Sequence, residues 1–235
     1  MQKKKLIFEV CANGIQSAIN AQLAGADRIE LCEYLEVGGL TPHDKIIRDA
    51  KELIHIPIHV LIRPRAGNFV FSEEEYDCMK EEIIRCKKMQ VAGIVTGVLN
   101  PDRTIDKIRC AELMEHAHPL SITFHRAFDV VHDPIQSLKE LIELGVDRVL
   151  TSGQQENPLA GAQLIKELMN HSNGRISILA GGGITEENIS AIVKESGITE
   201  IHFSARKKQV DGSYVSDLMR IKNMMQAAND TFINI

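Results

Sequence analysis

"PIQSLKELIELGVDRVLTSG" (residues 134–153) decides the fold. Ile135, Leu138, Leu141 and Ile142 recur at helical spacing and form one apolar stripe. Pro134 stands in the first turn, where its missing N–H costs nothing, and Gly145 supplies the left-handed stop. An apolar, β-branched run follows at 147–151, too close to the helix stop for a long loop. The closing phrase Gly145-Val146-Asp147-Arg148-Val149 returns as Gly25-Ala26-Asp27-Arg28-Ile29, after a helical stripe of Ile15, Ala18, Ile19 and Leu23. "TEENISAIVKESGI" repeats the design, with Thr185 as its expected N-cap.

Working outward, similar apolar runs lie near 6–11, 28–32, 58–63, 93–97, 121–126, 176–180 and 200–204, each separated from the next by a helical pattern. Strand–helix alternation of this kind demands a parallel sheet. Eight such units in 235 residues predict one α/β domain over 1–235, a (β/α)8 TIM-type barrel. A doubly wound open sheet is the alternative, but no G-x-G-x-x-G opens the chain.

Composition narrows the function classes. Net charge is −5 and no basic stripe occurs, so nucleic acid and anionic membranes are not expected partners. No run reaches the roughly 18 apolar residues of a membrane span. "MQKKKLIFEVCANG" lacks the apolar stretch and small-residue cleavage site of a signal peptide. The five cysteines (Cys11, Cys32, Cys78, Cys86 and Cys110) are an odd set without C-x-x-C spacing, which predicts free thiols in a reducing cytoplasm. Cys78, Cys86 and Cys110 fall on helices, where core filling is expected.

Side chains alternate along a strand, so each strand splits into a helix-facing and a barrel-facing set. Leu6, Phe8, Val10, Ile29, Leu31, Ile58, Val60 and Ile62 form the apolar set. The other set places Glu9, Glu30, Arg63, His125 and His202 in the barrel with Cys11 and Cys32. Barrel interiors are normally filled by branched apolar residues, and unpaired buried charge is costly. These groups must therefore pair, reach the mouth, or hold a ligand. A structural alternative is an ion-pair network in which Arg63 bridges Glu9 and Glu30.

Several motifs end strands, where active sites of this architecture lie. H-R-A-F-D (125–129) offers His125 as acid or base, Arg126 for an anion and Asp129 to orient a partner. I-R-P-R-A-G-N-F (62–69) offers Arg63 for a carboxylate or phosphate. Gly181, Gly182 and Gly183 in "LAGGGITEEN" let backbone N–H groups approach an anion, and Ser204 adds a donor after the last strand. Cys11 and Cys32 are the metal candidates, since thiolates select copper(I) or zinc. Equally, a buried free cysteine often serves only as a small hydrophobe.

Together, "FEVCANG", "AGADRIELCEYLEVGGLTP", "VLIRPRAGNFVFSEEE", "GIVTGVL", "TFHRAFDV", "RVLTSGQ" and "LAGGGI" closely resemble the CutC family of copper homeostasis proteins, over about residues 6–206. The resemblance implies a cytoplasmic TIM-type barrel, often self-associated, with a link to copper tolerance or copper binding. The first expectation is therefore a copper(I)-binding protein, with the thiols of Cys11 and Cys32 as its ligands. A competing expectation is an enzyme acting on a small anionic metabolite. Glu9, Glu30, His125 and Asp129 would then be the catalytic groups, with Arg63, Arg126, the glycine loop and Ser204 binding the substrate. A third expectation is a scaffold without chemistry.

Overall fold

The computed structural model describes residues 5–233. Eight parallel strands close into a barrel in sequence order: β1 (Ile7–Ala12), β2 (Arg28–Leu31), β3 (Ile58–Leu61), β4 (Gly93–Thr96), β5 (Ser121–Phe124), β6 (Arg148–Thr151), β7 (Ser177–Gly181) and β8 (Glu200–Phe203). The ring closes through β1 against β8, with Glu9 opposite His202 and Val10 opposite Phe203. The helices are α1 (Ile15–Ala24), α2 (Asp44–Leu53), α3 (Glu73–Lys88), α4 (Lys107–Ala117), α5 (Pro134–Leu144), α6 (Ala162–Ser172), α7 (Ile189–Ser196) and α8 (Leu218–Ile233). A small hairpin, β9 (Arg206–Lys208) with β10 (Tyr214–Ser216), sits between β8 and α8. The (β/α)8 expectation holds, and the open sheet is excluded by closure.

The repeated phrase G-x-D-R explains why the barrel is pinned. Gly145 caps α5 at φ 83°, in the left-handed region that glycine tolerates. Asp133 starts the same helix by accepting from the Ile135 and Gln136 N–H groups. The Asp of each phrase then ties down the strand before it: Asp27 accepts from Phe8 N at 2.9 Å, and Asp147 from Ile122 N at 2.7 Å. The Arg that follows each Asp turns into the barrel.

The apolar core lies between strands and helices. Phe8, Val10, Ile29, Leu31, Val60 and Ile62 are all buried there, as their alternation predicts. Each such side chain contributes about 1.5–3 kcal/mol by leaving water.

Local expectations differ in three places. α7 begins at Ile189, not after Thr185, because Asn188 accepts from Thr185 N and makes a turn there instead. The glycine loop therefore does not lead directly into a helix N-terminus. Strands β3 and β5 stop at Leu61 and Phe124, so Arg63 and His125 stand just beyond them, in the mouth. Cys86 and Cys110 fill the core as expected, whereas Cys78 is exposed.

Candidate functional site at the barrel mouth

The barrel interior holds two polar levels. In the lower one, Arg28 Nε donates to Glu9, and Arg28 Nη2 donates to Glu200 at 2.6 Å. Arg148 Nε approaches the same Glu200 oxygen at 3.3 Å, and its Nη1 donates to Ser121 Oγ at 2.9 Å. His59 Nδ1 lies 3.8 Å from Glu9. Arg63 does not bridge Glu9 and Glu30; Arg28, one level down and on the same face of β2 as Glu30, bridges Glu9 and Glu200 instead.

The upper level faces a cavity of about 700 Å³ at the C-terminal ends of the strands. Cys11, Glu30, His202, Arg63, His125 and Ser204 all line it. His202 joins the two levels: Nδ1 is 2.7 Å from Glu9 Oε1, and Nε2 is 3.3 Å from Glu30 Oε2. Cys11 Sγ and Cys32 Sγ are 3.7 Å apart. Ligand atoms of Cys11, Glu30 and His202 lie within 4.8 Å of one another. Leu35, Leu61 and Val95 pack around the two thiols.

Three glycines make room for the three interior histidines. A Cβ on Gly93 would meet the His59 ring at 2.8 Å, and one on Gly97 would meet His125 Nδ1 at the same distance. One on Gly181 would meet the His202 side chain at 3.0 Å. Gly181 thus serves the barrel interior, whereas Gly182 and Gly183 turn away at positive φ and line the cavity.

Burial and neighbours set opposed proton affinities. Burial pushes the Glu9 pKa up, but the bond to His202 and the Arg28 charge overrule it and hold the carboxyl well below its usual range. Glu30, which lacks such an arginine, has its pKa raised by burial despite the opposing pull of His202. Burial disfavours the His202 imidazolium, yet Glu30 and Glu9 outweigh it and raise its pKa. Bonding to Cys32, then burial, pushes the Cys11 thiol well above its usual range. His125 is driven down to about 3 by burial and by Arg63, and is neutral.

The mouth is shaped by loops. Arg63 ties the loop after β2 to the loop after β3, donating from Nη1 to Val37 O and Gly39 O and from Nη2 to Gly67 O. Phe69 packs against the His125 ring, centroids 4.7 Å apart, and under the Arg63 guanidinium at 5.1 Å. Asp129 accepts from Thr151 Oγ1, Ser152 N and Arg126 Nε, so it fixes Arg126 beside Gly182.

The sequence-derived candidates Glu9, Glu30, Arg63, His125, Arg126, Asp129, Gly182, Gly183, Ser204, Cys11 and Cys32 thus meet in or directly beneath one cavity. Arg28, Arg148 and Glu200 are absent from those candidates, and His202 enters them only as an interior residue. The signal was present: Arg28 has the parity of Glu30, and Glu200 that of His202.

No helix among the described residues is long and apolar enough to cross a membrane. A family model, the CutC family, matches residues 6–207. A human protein named "Copper homeostasis protein cutC homolog" is 46% identical over 206 residues, covering 88% of this chain and 76% of that protein. A CutC family protein of Pasteurella multocida is 47% identical over 199 residues, 85% of this chain and 82% of its own. The crystal structure of a putative copper homeostasis protein CutC from Streptococcus agalactiae superposes with a TM-score of 0.81 at 34% identity, covering 85% of this chain and 98% of that one. On the family match, and on relatives this similar over most of their length, the chain belongs to the CutC family.

Proposed function

We propose that this chain binds a soft metal ion, copper(I), in the reducing cytoplasm, with Cys11 and Cys32 as its principal ligands and His202 and Glu30 beside them. The observation that carries this is the 3.7 Å between the two sulfurs. Two thiolates on one four-coordinate ion, with bonds near 2.3 Å, stand about 3.8 Å apart. The clustered donors are one thiol, one imidazole and one carboxylate, from Cys11, His202 and Glu30; Cys32 joins them through Cys11, and Glu9 is bonded to the far side of the imidazole as an orienting carboxylate. The names of the human and Streptococcus agalactiae relatives, both copper homeostasis proteins, support copper as the ion. A copper(I) titration of the reduced protein against a competing chelator tests it. Wild type should bind one ion tightly and the Cys11→Ser/Cys32→Ser double variant should not. Undiminished binding by the double variant overturns the proposal.

A second reading is favoured by the cavity, whose roughly 700 Å³ far exceeds what an ion needs and suits a small organic molecule. Here Glu30 and His202 exchange a proton with the substrate while Glu9 fixes the imidazole. Arg63, Arg126, Gly182, Gly183 and Ser204 form the surrounding wall. Crystals soaked in metabolite pools should show density between Arg63 and the Gly182–Gly183 loop, and Glu30→Gln should retain binding but lose turnover. An empty mouth after every soak, with no turnover from any pool, sinks this reading.

A further inference from the structure

Four buried side-chain nitrogens have no hydrogen-bond partner among the described residues: His59 Nδ1, Arg63 Nε, His125 Nε2 and Arg148 Nε. Two face carboxylates of the lower level: His59 Nδ1, in a ring that burial keeps neutral, lies 3.8 Å from Glu9, and the cationic Arg148 Nε lies 3.3 Å from Glu200. The other two, Arg63 Nε and His125 Nε2, belong to side chains that line the cavity. Arg63 is 6% exposed and His125 4%.

Arg63 has a second unmet requirement. Its other bonds go to three neutral carbonyls, and no carboxylate lies within ion-pair distance among the described residues. The neighbouring Arg65 is matched by Glu75 at 2.6 Å, so the contrast is local. A buried guanidinium without a counter-charge is costly, which is the condition an anionic ligand relieves. His125 Nδ1 accepts from Ala127 N, so Nε2 of the neutral ring carries the hydrogen and is a donor.

We propose that Arg63 and His125 form a subsite for the single carboxylate of a small organic acid, with Arg63 Nε and His125 Nε2 as its donors. The charge and donor count select the head group. One cationic charge and two N–H groups match a monoanion with two oxygens. A phosphate dianion would bring twice the charge and a third oxygen. Phe69, in contact with both donors, closes the subsite with an apolar face that suits a short carbon chain. The inference rests on the second reading only in taking the cavity as a small-molecule site, and does not depend on proton transfer.

The test uses the full chain with 15N-labelled histidine, observed by NMR at pH 7 and constant ionic strength. The probes are propionate, its neutral counterpart propionamide, and inorganic phosphate. Propionate should shift the His125 Nε2 resonance saturably, and the other two should not at equal concentration. Arg63→Gln, read at the same resonance, and His125→Phe, read with wild type by calorimetric titration, should each weaken propionate binding by about tenfold or more. His125→Phe leaves the Arg63 loop ties in place, so loss in that variant is not a collapse of the mouth. Propionamide binding as well as propionate overturns the anion assignment while leaving the cavity reading intact. Tighter phosphate binding overturns the carboxylate class. No response to any probe overturns the subsite, and the metabolite soaks then decide separately whether the cavity reading falls with it.

Discussion

Arg28 and Arg148, at the same place in two copies of one sequence phrase, meet on a single oxygen of Glu200, at 2.6 and 3.3 Å. Arg28 also holds Glu9, and Glu9 holds His202. A buried ionic lattice therefore underlies the cavity and fixes the imidazole that faces it. Such lattices add little net stability when complete, but are costly when broken.

Arg28 is the member whose loss matters most, because among the described residues it alone touches both Glu9 and Glu200. Arg28→Met should destabilise the fold by about 3–5 kcal/mol, since it takes the nearest cation from two buried carboxylates at once and leaves Glu9 only histidines and Glu200 only the more distant Arg148. Arg148→Met should cost less, because Glu200 keeps Arg28. Urea unfolding of the two variants checks the order. A loss below about 1 kcal/mol for Arg28→Met would show that the lattice is not held as the geometry implies.

His125 makes stability depend on pH. Its pKa is about 3 in the fold, lowered by burial and by Arg63 from an ordinary value of 6.5. Between those values the unfolded chain binds a proton that the folded one does not. The neutral imidazole is thus favoured by the fold above pH 6.5, and stability is lost as pH falls toward 3, by about 1.4 kcal/mol per unit. His125→Phe should remove this slope, so the stability gap between variant and wild type should shift steadily in the variant's favour from pH 6.5 to 4. Parallel curves for the two proteins would contradict a buried neutral His125.

The barrel and its polar interior were legible because the strand period of two is strict, and because glutamate, histidine and cysteine alternate with Phe, Val and Ile on β1, β2 and β8. What parity does not give is level. The tilt and stagger of a closed barrel decide which interior residues of different strands share a height. Arg63 therefore looked like the partner of Glu9 and Glu30, although it stands past the end of β3 and bonds loop carbonyls instead. Cys78 shows a different limit. Eight residues along a helix leave it about 80° away from Cys86, enough to move one thiol out of the core.

The glycines opposite the histidines separate two kinds of tightness. At Gly93 an added Cβ would meet the backbone oxygen of Ser121 at 2.7 Å as well as the His59 ring. At Gly97 the close atoms are all side-chain atoms, of His125 and Phe124. Gly93→Ala should therefore cost about 1–3 kcal/mol and resist rescue by His59→Ala, because the strand itself must move. Gly97→Ala should be largely rescued by His125→Ala. Thermal unfolding of the four variants reads the difference, and equal rescue at both positions would refute it.

The thiols supply the last test, because metal binding there must displace protons. Cys11 is held well above the usual thiol range by its bond to Cys32 and by burial, so it enters neutral solution protonated. An ion that binds its thiolate releases that proton, and apparent affinity should rise at least tenfold per unit between pH 6 and 8. A chelator competition run at several pH values measures the slope. The same burial makes Cys11 a poor nucleophile, so iodoacetamide should label exposed Cys78 first. Cys86 and Cys110, each pushed up to about 12 by burial, should stay unlabelled with it until the fold opens. A pH-independent copper affinity, or early alkylation of Cys11 in the folded protein, would mean that the ion meets a thiolate already formed, and the geometry around Cys32 would have to be other than it is.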